Sequence, residues 1–293
     1  MWPILALAAL AVLTLGDEVW AWGPATHVKL AGDLMSSGLL PAALASLLGR
    51  HAWHFLYGNV AADIVFAKKL SRIKQICHHW TTGFAMLDGS QSDEDRAFAS
   101  GYLCHLAADT VAHGKYLPRQ MAMSRSTIGF GHLYWEVRAD SRIDAACWRL
   151  LRETLAQPYP GAMNLMELHL PDTLLSFDAN HAVFNRLNLL ASMRSWRRSI
   201  GLWGRVSRWP LSDAVLRDYH AESLARMADV LTRGAQSTVL HDDPNGNSAL
   251  AHARARRKLL RRMKRARLPL EHVVSEAAAC LAPAGDGAFR AYG

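Results

Sequence analysis

Three titratable residues recur at every fourth position of an otherwise apolar segment of the chain: His105, Asp109 and His113. A step of four residues turns an α-helix about 40° beyond a full turn, so the three side chains share one face over about 12 Å. Their neighbours are apolar or small, which predicts a buried helix. A single histidine here would be read as a hydrogen-bonded core residue. Three titratable groups in this register favour a metal site, because burying them is costly unless they bind something.

The composition suits one large helical unit. The chain has 293 residues, and 51% of them are hydrophobic, which is enough for a sizeable core. Long alternating runs of Val, Ile and Thr are absent from the sequence. Most segments instead place apolar residues three and four positions apart, as amphipathic helices do. The sequence therefore predicts an all-α fold, a single multi-helix bundle with its chemistry in the first half.

Start and stop signals give approximate helix boundaries. The predicted helices span about 26–35, 41–48, 60–70, 93–113, 132–155, 179–200, 212–234 and 247–267. Gly114 and Pro118 are expected to end the helix that carries His113. The Pro-Tyr-Pro-Gly segment at 158–161 predicts a break, and the segment 242–247 predicts a loop.

The N-terminal segment has the features of an export signal. The apolar run from Pro3 to Gly16 is too short to cross a bilayer as a helix, which takes about 20 residues. Ala21, with Val19 two positions before it, suits signal peptidase. We therefore expect residues 1–21 to be a signal peptide and the mature protein to be exported, to the periplasm or the medium. An uncleaved membrane anchor is the alternative, since no Lys or Arg precedes the apolar run.

Cleavage after Ala21 would make Trp22 the first residue of the mature chain. Its free amino group and its carbonyl oxygen can then chelate a metal together, with His27 as a third ligand. The reference pKa of a terminal amino group, about 7.7–8.0, makes the unprotonated form accessible at neutral pH. In an uncleaved chain, this nitrogen would belong to a peptide bond.

Further ligand candidates lie between these two groups and after them. His132 and Glu136 are four positions apart and can grip one ion from a single helix face, with His113 as the third ligand. Asp63 is a lone acid among apolar neighbours, and His78 begins a His-His-Trp segment. Taken alone, His132 and Glu136 are equally explained as an exposed hydrogen-bonded pair. Asp63 is equally explained as a helix cap or a buried hydrogen-bond acceptor, and His78 as part of a solvated loop.

As a set, the residues resemble the zinc-dependent phospholipase C superfamily. This group includes the catalytic domain of glycosylphosphatidylinositol phospholipase D and the S1/P1 nucleases. The shared pattern is Trp-Gly-x3-His, a downstream Asp, a His-x-aromatic, His-x3-Asp and a later His-x3-Glu, all within residues 22–136. The resemblance implies a helical bundle of the phospholipase C/P1 nuclease type, which we place over residues 22–283. The Gly- and Ala-rich segment 284–293 predicts a flexible tail.

The resemblance also implies up to three zinc ions and a ligand set for each. The implied sets are Trp22, His27 and Asp109 for the first ion, Asp63, His78, His105 and Asp109 for the second, and His113, His132 and Glu136 for the third. The step of four residues from Asp109 to His113 looks more like the glycosylphosphatidylinositol-cleaving branch than the bacterial phosphatidylcholine-cleaving enzymes, which use six. His79 is an alternative to His78, which is preferred because Trp80 then occupies the aromatic position.

The implied activity is hydrolysis of phospholipid phosphodiester bonds by metal-activated water. Paired zinc ions neutralise phosphoryl oxygens and lower the pKa of bound water from about 15.7 to about 7. Asp63 is expected to bind its zinc and also to take the proton from the attacking water. An S1/P1-like single-strand nuclease and a non-catalytic, metal-stabilised binding protein are the alternatives.

The net charge of +8 indicates an anionic partner. Much of the positive charge lies in the run Arg254–Arg267, which also contains a narrow apolar stripe. Such a basic amphipathic helix can lie on an anionic membrane surface or, under the nuclease alternative, hold a nucleic-acid backbone. A merely solvated helix face explains the run equally well.

Overall fold

The computed structural model describes residues 22–64, 76–123, 128–170, 177–193, 198, 200–202, 204, 207, 209 and 211–266. Within these residues the regular structure consists of twelve α-helices and a few shorter helical turns, with no strand. The predicted all-α fold is confirmed. The predicted signal peptide, residues 1–21, and the predicted tail, residues 284–293, lie outside the described residues.

The twelve helices of the described residues are numbered here in chain order. In chain order they are α1 Pro24–Ser36, α2 Ala42–Arg50, α3 Ala52–Ala61, α4 Trp80–Asp88, α5 Asp93–Val111, α6 Leu117–Met123, α7 Ile128–Asp140, α8 Ala145–Leu155, α9 Pro160–His169, α10 Phe177–Ala191, α11 Asp213–Arg233 and α12 Asn247–Arg265. A π-helical turn, Ala112–Tyr116, joins α5 to α6, and a 3-10 turn spans Ile76–His78. No helix in the described ranges combines the length and apolar character of a membrane span.

Helix α5 forms the centre of the fold. Every residue from Ala97 to Val111 is buried, and the helix packs against α3, α4 and α11. Ser92 caps its start by accepting a hydrogen bond from the backbone N–H of Asp95 at 3.0 Å. Acidic residues occupy the first turn, where the helix dipole favours negative charge. A helix that is buried all round provides the rigid axis on which the metal-ligand candidates are placed.

Helices α3 and α5 cross in backbone contact at Gly58 and Gly101. A Cβ atom on Gly101 would overlap the backbone carbonyl oxygen of Phe55, so no larger residue fits without moving a helix. At this crossing the Nδ1 atom of His105 lies 2.8 Å from the carbonyl oxygen of Asn59. The two glycines therefore set the position of a predicted ligand.

We expect Gly101→Ala to lower the free energy of unfolding by about 3 kcal/mol, because the added methyl group overpacks the crossing. The melting temperature should fall by about 6 °C or more. Gly32→Ala in α1 is the matched control, since no described atom from outside the adjoining turns of α1 lies within 4 Å of its Cβ position and Ala favours a helix by about 1 kcal/mol. Equal melting temperatures for the two variants would contradict the close crossing.

The sequence predicted that the helix carrying His113 ends at Gly114 and Pro118, and this prediction is wrong. The helix continues through the π turn into α6, and the backbone N–H of Leu117 donates to the carbonyl oxygen of Ala112, five residues earlier. Pro118 has no N–H to donate. The wider turn places it at the second position of a new α-helical segment, where the N–H needs no partner within the helix. Gly114 and Pro118 therefore change the type of helix without ending it.

Two other boundary predictions are also wrong. The helix expected over about 132–155 is divided into α7 and α8, because Oδ1 of Asp144 accepts from the backbone N–H groups of Ala146 and Cys147 at 2.8 and 2.9 Å and so starts a new helix. The helix expected over 60–70 is wrong for residues 62–64, which follow the end of α3 at Ala61 and are not helical. Residues 65–70 lie outside the described part. The break at 158–161 is confirmed between α8 and α9.

Candidate metal centre

One buried carboxylate forms the middle of the candidate centre. Asp109 lies on α5 and is 1% exposed. Its Oδ1 atom lies 3.3 Å from Nε2 of His27 on α1. Its Oδ2 atom lies 3.3 Å from Nε2 of both His78 and His105. The Nε2 atom of His113, in the π turn, lies 3.8 Å from the same oxygen. Four imidazoles thus face the two oxygens of one side chain.

A second carboxylate joins this group from the end of α3. Oδ1 of Asp63 lies 3.4 Å from Nε2 of His78, and Oδ2 lies 4.0 Å from Nε2 of His105. The Nε2 atoms of His78 and His105 are 3.2 Å apart. Two overlapping triads therefore have their ligand atoms within 4.8 Å of one another: His27, Asp63 and His105, and His78, His105 and Asp109. Each triad has the size and atom types of a metal site.

The third predicted group extends from the first two through His113. The ring of His132 lies 5.2 Å from that of His113, and His132 and Glu136 are 4% and 3% exposed. Glu136 follows His132 by one turn on α7. The structure therefore brings His113 and His132 together and buries Glu136 one turn after His132 on α7. The division of the ligands among three individual ions stays a prediction.

Trp22 is anchored by its side chain at the start of α1. The indole is fully buried and stacks on Tyr116 of the π turn with 4.7 Å between ring centroids. The edge of His220, on α11, meets it at 5.3 Å. Burial lowers the pKa of His220 to about 4, so this ring is neutral near pH 7. Nothing in the sequence of α11 had singled out His220.

The two adjacent histidines before α4 have different surroundings. His78 is 2% exposed and contacts both Asp63 and Asp109. His79 is exposed and occupies the position just before α4. This placement favours His78 over His79 as the metal ligand.

The protonation states suit a divalent cation. Burial, together with the nearby His105, lowers the pKa of His27, and burial holds the pKa of His113 well below its usual value. Burial would by itself raise the pKa of Asp109, but the facing imidazoles, led by His105, hold it well below its usual range. Neutral imidazoles and an ionised carboxylate are the forms that bind zinc.

Hydrogen bonding leaves the ligand atoms turned toward the centre. The carbonyl oxygen of Asn59 can only accept, so Nδ1 of His105 donates to it at 2.8 Å and the Nε2 lone pair faces the cluster. Both oxygens of Asp109 and both ring nitrogens of His27 and His113 are buried without a hydrogen-bond partner among the described residues. Such atoms are costly to bury, and a shared cation would satisfy the carboxylate oxygens and the Nε2 atom of each of these two imidazoles. These residues therefore fit zinc.

A family model for zinc dependent phospholipase C matches residues 26–178, a little more than half of the chain. The chain belongs to this family. Eight of the nine predicted ligands lie within the matched residues, and Trp22 precedes them. No curated protein and no solved structure matches the chain. The resemblance inferred from the metal-ligand pattern is confirmed at the level of the family.

A loop beyond the region that matches the phospholipase C family packs against two of the candidate ligands. The side-chain amide of Asn245 donates to the carbonyl oxygen of His78 at 3.2 Å. Gly246 has a φ of +59°, and a Cβ atom there would lie 2.5 Å from both Cβ and the carbonyl oxygen of His113. The segment 242–247 predicted a loop, but no sequence signal indicated that this loop contacts the centre.

Asp140 is a further residue that sequence reasoning did not identify. It lies one turn after Glu136 on α7 and is almost fully buried. Its carboxylate accepts hydrogen bonds from the backbone N–H of Ala25 at 3.2 Å and from the backbone and hydroxyl of Thr26 at 3.1 and 2.5 Å. Burial raises the pKa of Asp140 to about 6 although these hydrogen bonds favour the charged form. The four-residue repeat of His132, Glu136 and Asp140 was the available signal.

The same carboxylate explains the glycine that follows Trp22. Gly23 has φ of −69° and ψ of 162°, a backbone conformation open to any residue. A Cβ atom at this position would overlap the carboxylate of Asp140. Gly23 is therefore required by close approach rather than by its backbone angles. Asp140 fixes the segment that links Trp22 to His27.

Zinc removal gives a test of the centre that does not depend on activity. A ligand that binds only the folded state stabilises it by about 4 kcal/mol at 1,000 times its dissociation constant. We expect a chelator to lower the melting temperature by several degrees, and added zinc, but not magnesium, to restore it. An unchanged melting temperature in a protein that elemental analysis finds free of zinc would argue against the centre.

Proposed function

We propose that this chain is an exported, zinc-dependent hydrolase of the phospholipase C type that cleaves phosphodiester bonds of phospholipids. The observation that carries the proposal is the position of Asp109. Its two oxygens face different histidines, His27 on one side and His78 and His105 on the other. A carboxylate that faces two ligand groups is suited to bridging two ions. A pair of ions is the arrangement that stabilises both the attacking and the leaving oxygen of a phosphodiester.

The residues of the chain have separable roles in this proposal. Zinc, when bound, supplies charge to neutralise the phosphoryl oxygens and lowers the pKa of water. His27, His78 and His105 hold their nitrogens toward Asp109 from three different segments. Asp63, at the end of α3 beside His78, is assigned to binding and to accepting the proton of the attacking water.

Burial of the cluster supports catalysis by its effect on the local dielectric. Asp63, His105 and Asp109 are 3%, 0% and 1% exposed, and electrostatic interactions strengthen where water is excluded. The orientation of His105 is fixed before substrate arrives, because Asn59 holds its Nδ1 and is itself held by a 2.9 Å hydrogen bond to the carbonyl oxygen of Phe55. Such partners of metal-binding histidines typically change affinity or activity by about 10- to 100-fold.

A substrate panel tests the proposal directly. The mature protein, with its zinc content measured, is incubated with phosphatidylcholine, phosphatidylinositol and a single-stranded polynucleotide. Release of a phosphorylated headgroup and diacylglycerol is the expected result, and it should stop on chelation. Hydrolysis of the polynucleotide alone would show a nuclease. Bound zinc without hydrolysis of any diester would show a metal-stabilised binding protein.

Retaining one extra residue before Trp22 tests the role of the new N-terminus. The amino nitrogen would then belong to a peptide bond and lose its lone pair as a ligand. We expect zinc content to fall and kcat/KM to drop by about tenfold or more, compared with a chain that begins at Trp22. A one-residue extension at the C-terminus is the control. Full zinc content and activity in the extended chain would remove Trp22 from the ligand set and leave the histidine–aspartate cluster.

A further inference from the structure

One face of α12 carries four exposed cations, which we call the basic stripe. The stripe consists of Arg254, Lys258, Arg262 and Arg265. Steps of four, four and three residues place these side chains within an arc of about 80° of the helix surface. They extend over about 16 Å along the helix axis. The sequence of α12 contains no Asp or Glu, so the helix itself supplies no charge to neutralise the stripe.

A different face of α12 fixes the helix to the body of the protein. Leu250 and Ala253 are 2% and 3% exposed, and the helix packs against α6 and the π turn. The mean direction of these inward positions lies about 110° around the helix from the centre of the basic stripe, whose four side chains are exposed. The four cations therefore project away from the core on a helix that the core holds in place.

The helix begins beside the metal centre. Gly246, the residue before α12, lies in close contact with the backbone of His113. Oδ2 of Asp243 accepts from the backbone N–H of Asn247 at 3.0 Å and so caps the first turn. Arg254 is eight residues beyond Gly246, or about 12 Å along the axis. The basic stripe is thus held at a fixed distance from the candidate ligands.

We propose that the basic stripe binds the anionic surface of the membrane whose lipids the centre hydrolyses. This inference rests on the proposed function. A straight row of cations on a rigid helix is complementary to a flat anionic surface, and each Lys or Arg near such a surface contributes to binding. Phospholipid substrates of an exported enzyme are presented at such a surface. Binding there would raise the local concentration of substrate at the centre.

The test compares matched charge-neutralised variants of the full mature protein. The stripe variant is R254Q/K258Q/R262Q, and the control is R149Q/R186Q/R217Q, which removes three exposed arginines from α8, α10 and α11. Binding is measured by vesicle co-sedimentation, with phosphatidylcholine vesicles that contain or lack phosphatidylglycerol. We expect the stripe variant to bind anionic vesicles on the order of 100-fold more weakly. The control should change within about threefold, and the difference should shrink at high salt.

Three results would overturn the proposal: unchanged vesicle binding by the stripe variant, an equal loss by the control, and stripe-dependent binding of single-stranded RNA without any preference for anionic vesicles. Hydrolysis of a soluble, short-chain phospholipid separates this inference from the proposed function. The stripe variant should retain that hydrolysis, since the metal centre is unchanged. Suppose that neither the unchanged protein nor the stripe variant hydrolyses any phospholipid, but vesicle binding still depends on the stripe. The proposed function would then be wrong, while binding of the stripe to an anionic membrane would be confirmed.

Discussion

Replacement of Asp109 by Asn is expected to lower kcat/KM by about 1,000-fold, which corresponds to about 4 kcal/mol of lost transition-state stabilisation. The carboxylate is almost fully buried, and each of its oxygens faces at least one imidazole. The amide of Asn has one oxygen and one NH2 group, so it can turn only one acceptor toward a cation. It also lacks the negative charge that would offset two divalent ions in a buried site.

Zinc content and activity should be measured on the same samples of this variant. We expect the bound zinc to fall by at least one ion while the far-ultraviolet circular dichroism remains helical. Asp218→Asn is the matched control, because Asp218 is exposed on α11 and the same atoms are exchanged. An Asp109→Asn protein with full zinc content and full activity would exclude a bridging role for this residue.

The sequence predicted those parts of the centre that depend on position within a single helix. The spacing of His105, Asp109 and His113 placed the three side chains on one face, because helix geometry alone determines that relation. The pairing of His132 with Glu136 has the same origin. The family resemblance then related these groups to Trp22 and to other segments, which a period within one helix cannot do.

The sequence pattern could not predict contacts between segments that are distant in the chain. The 2.8 Å hydrogen bond between Asn59 and His105 depends on the close approach of two helix backbones at Gly58 and Gly101. A glycine within a helical sequence does not indicate which other segment will pack against it. The contact of Gly246 with the backbone of His113 joins residues far apart in the chain. The sequence predicted a helix end where the structure has a π turn, because Gly and Pro occur both at helix ends and at irregular turns within helices.

Asp140 illustrates how much of the N-terminal arrangement depends on a residue outside the ligand set. The segment Trp22–His27 supplies two predicted ligands of the first ion. Three hydrogen bonds from Ala25 and Thr26 to Asp140 hold this segment, and Gly23 provides the space for the carboxylate. A change at either Gly23 or Asp140 therefore acts on the metal centre through the position of the backbone.

Gly23→Ala is expected to destabilise the mature protein by about 3 kcal/mol, because the new methyl group must displace the Asp140 carboxylate from its hydrogen bonds. Asp140→Ala should cost about 1–3 kcal/mol through the unsatisfied donors that it leaves. The double variant should cost little more than Asp140→Ala, since removal of the carboxylate makes room for the methyl group. Urea unfolding of the zinc-loaded proteins measures the three values.

The decisive quantity is the coupling between the two substitutions. A steric conflict between residues 23 and 140 predicts a coupling of about 2–3 kcal/mol, near the upper limit for residues in contact. Simple helix propensity at the start of α1 predicts additive effects, because Ala would act there regardless of what lies opposite. Zinc content distinguishes the consequence for the centre. If Asp140 positions the first site, Asp140→Ala should lose zinc by itself and the double variant should lose no more than Asp140→Ala does. Full zinc content in Asp140→Ala would show that Asp140 only stabilises the fold.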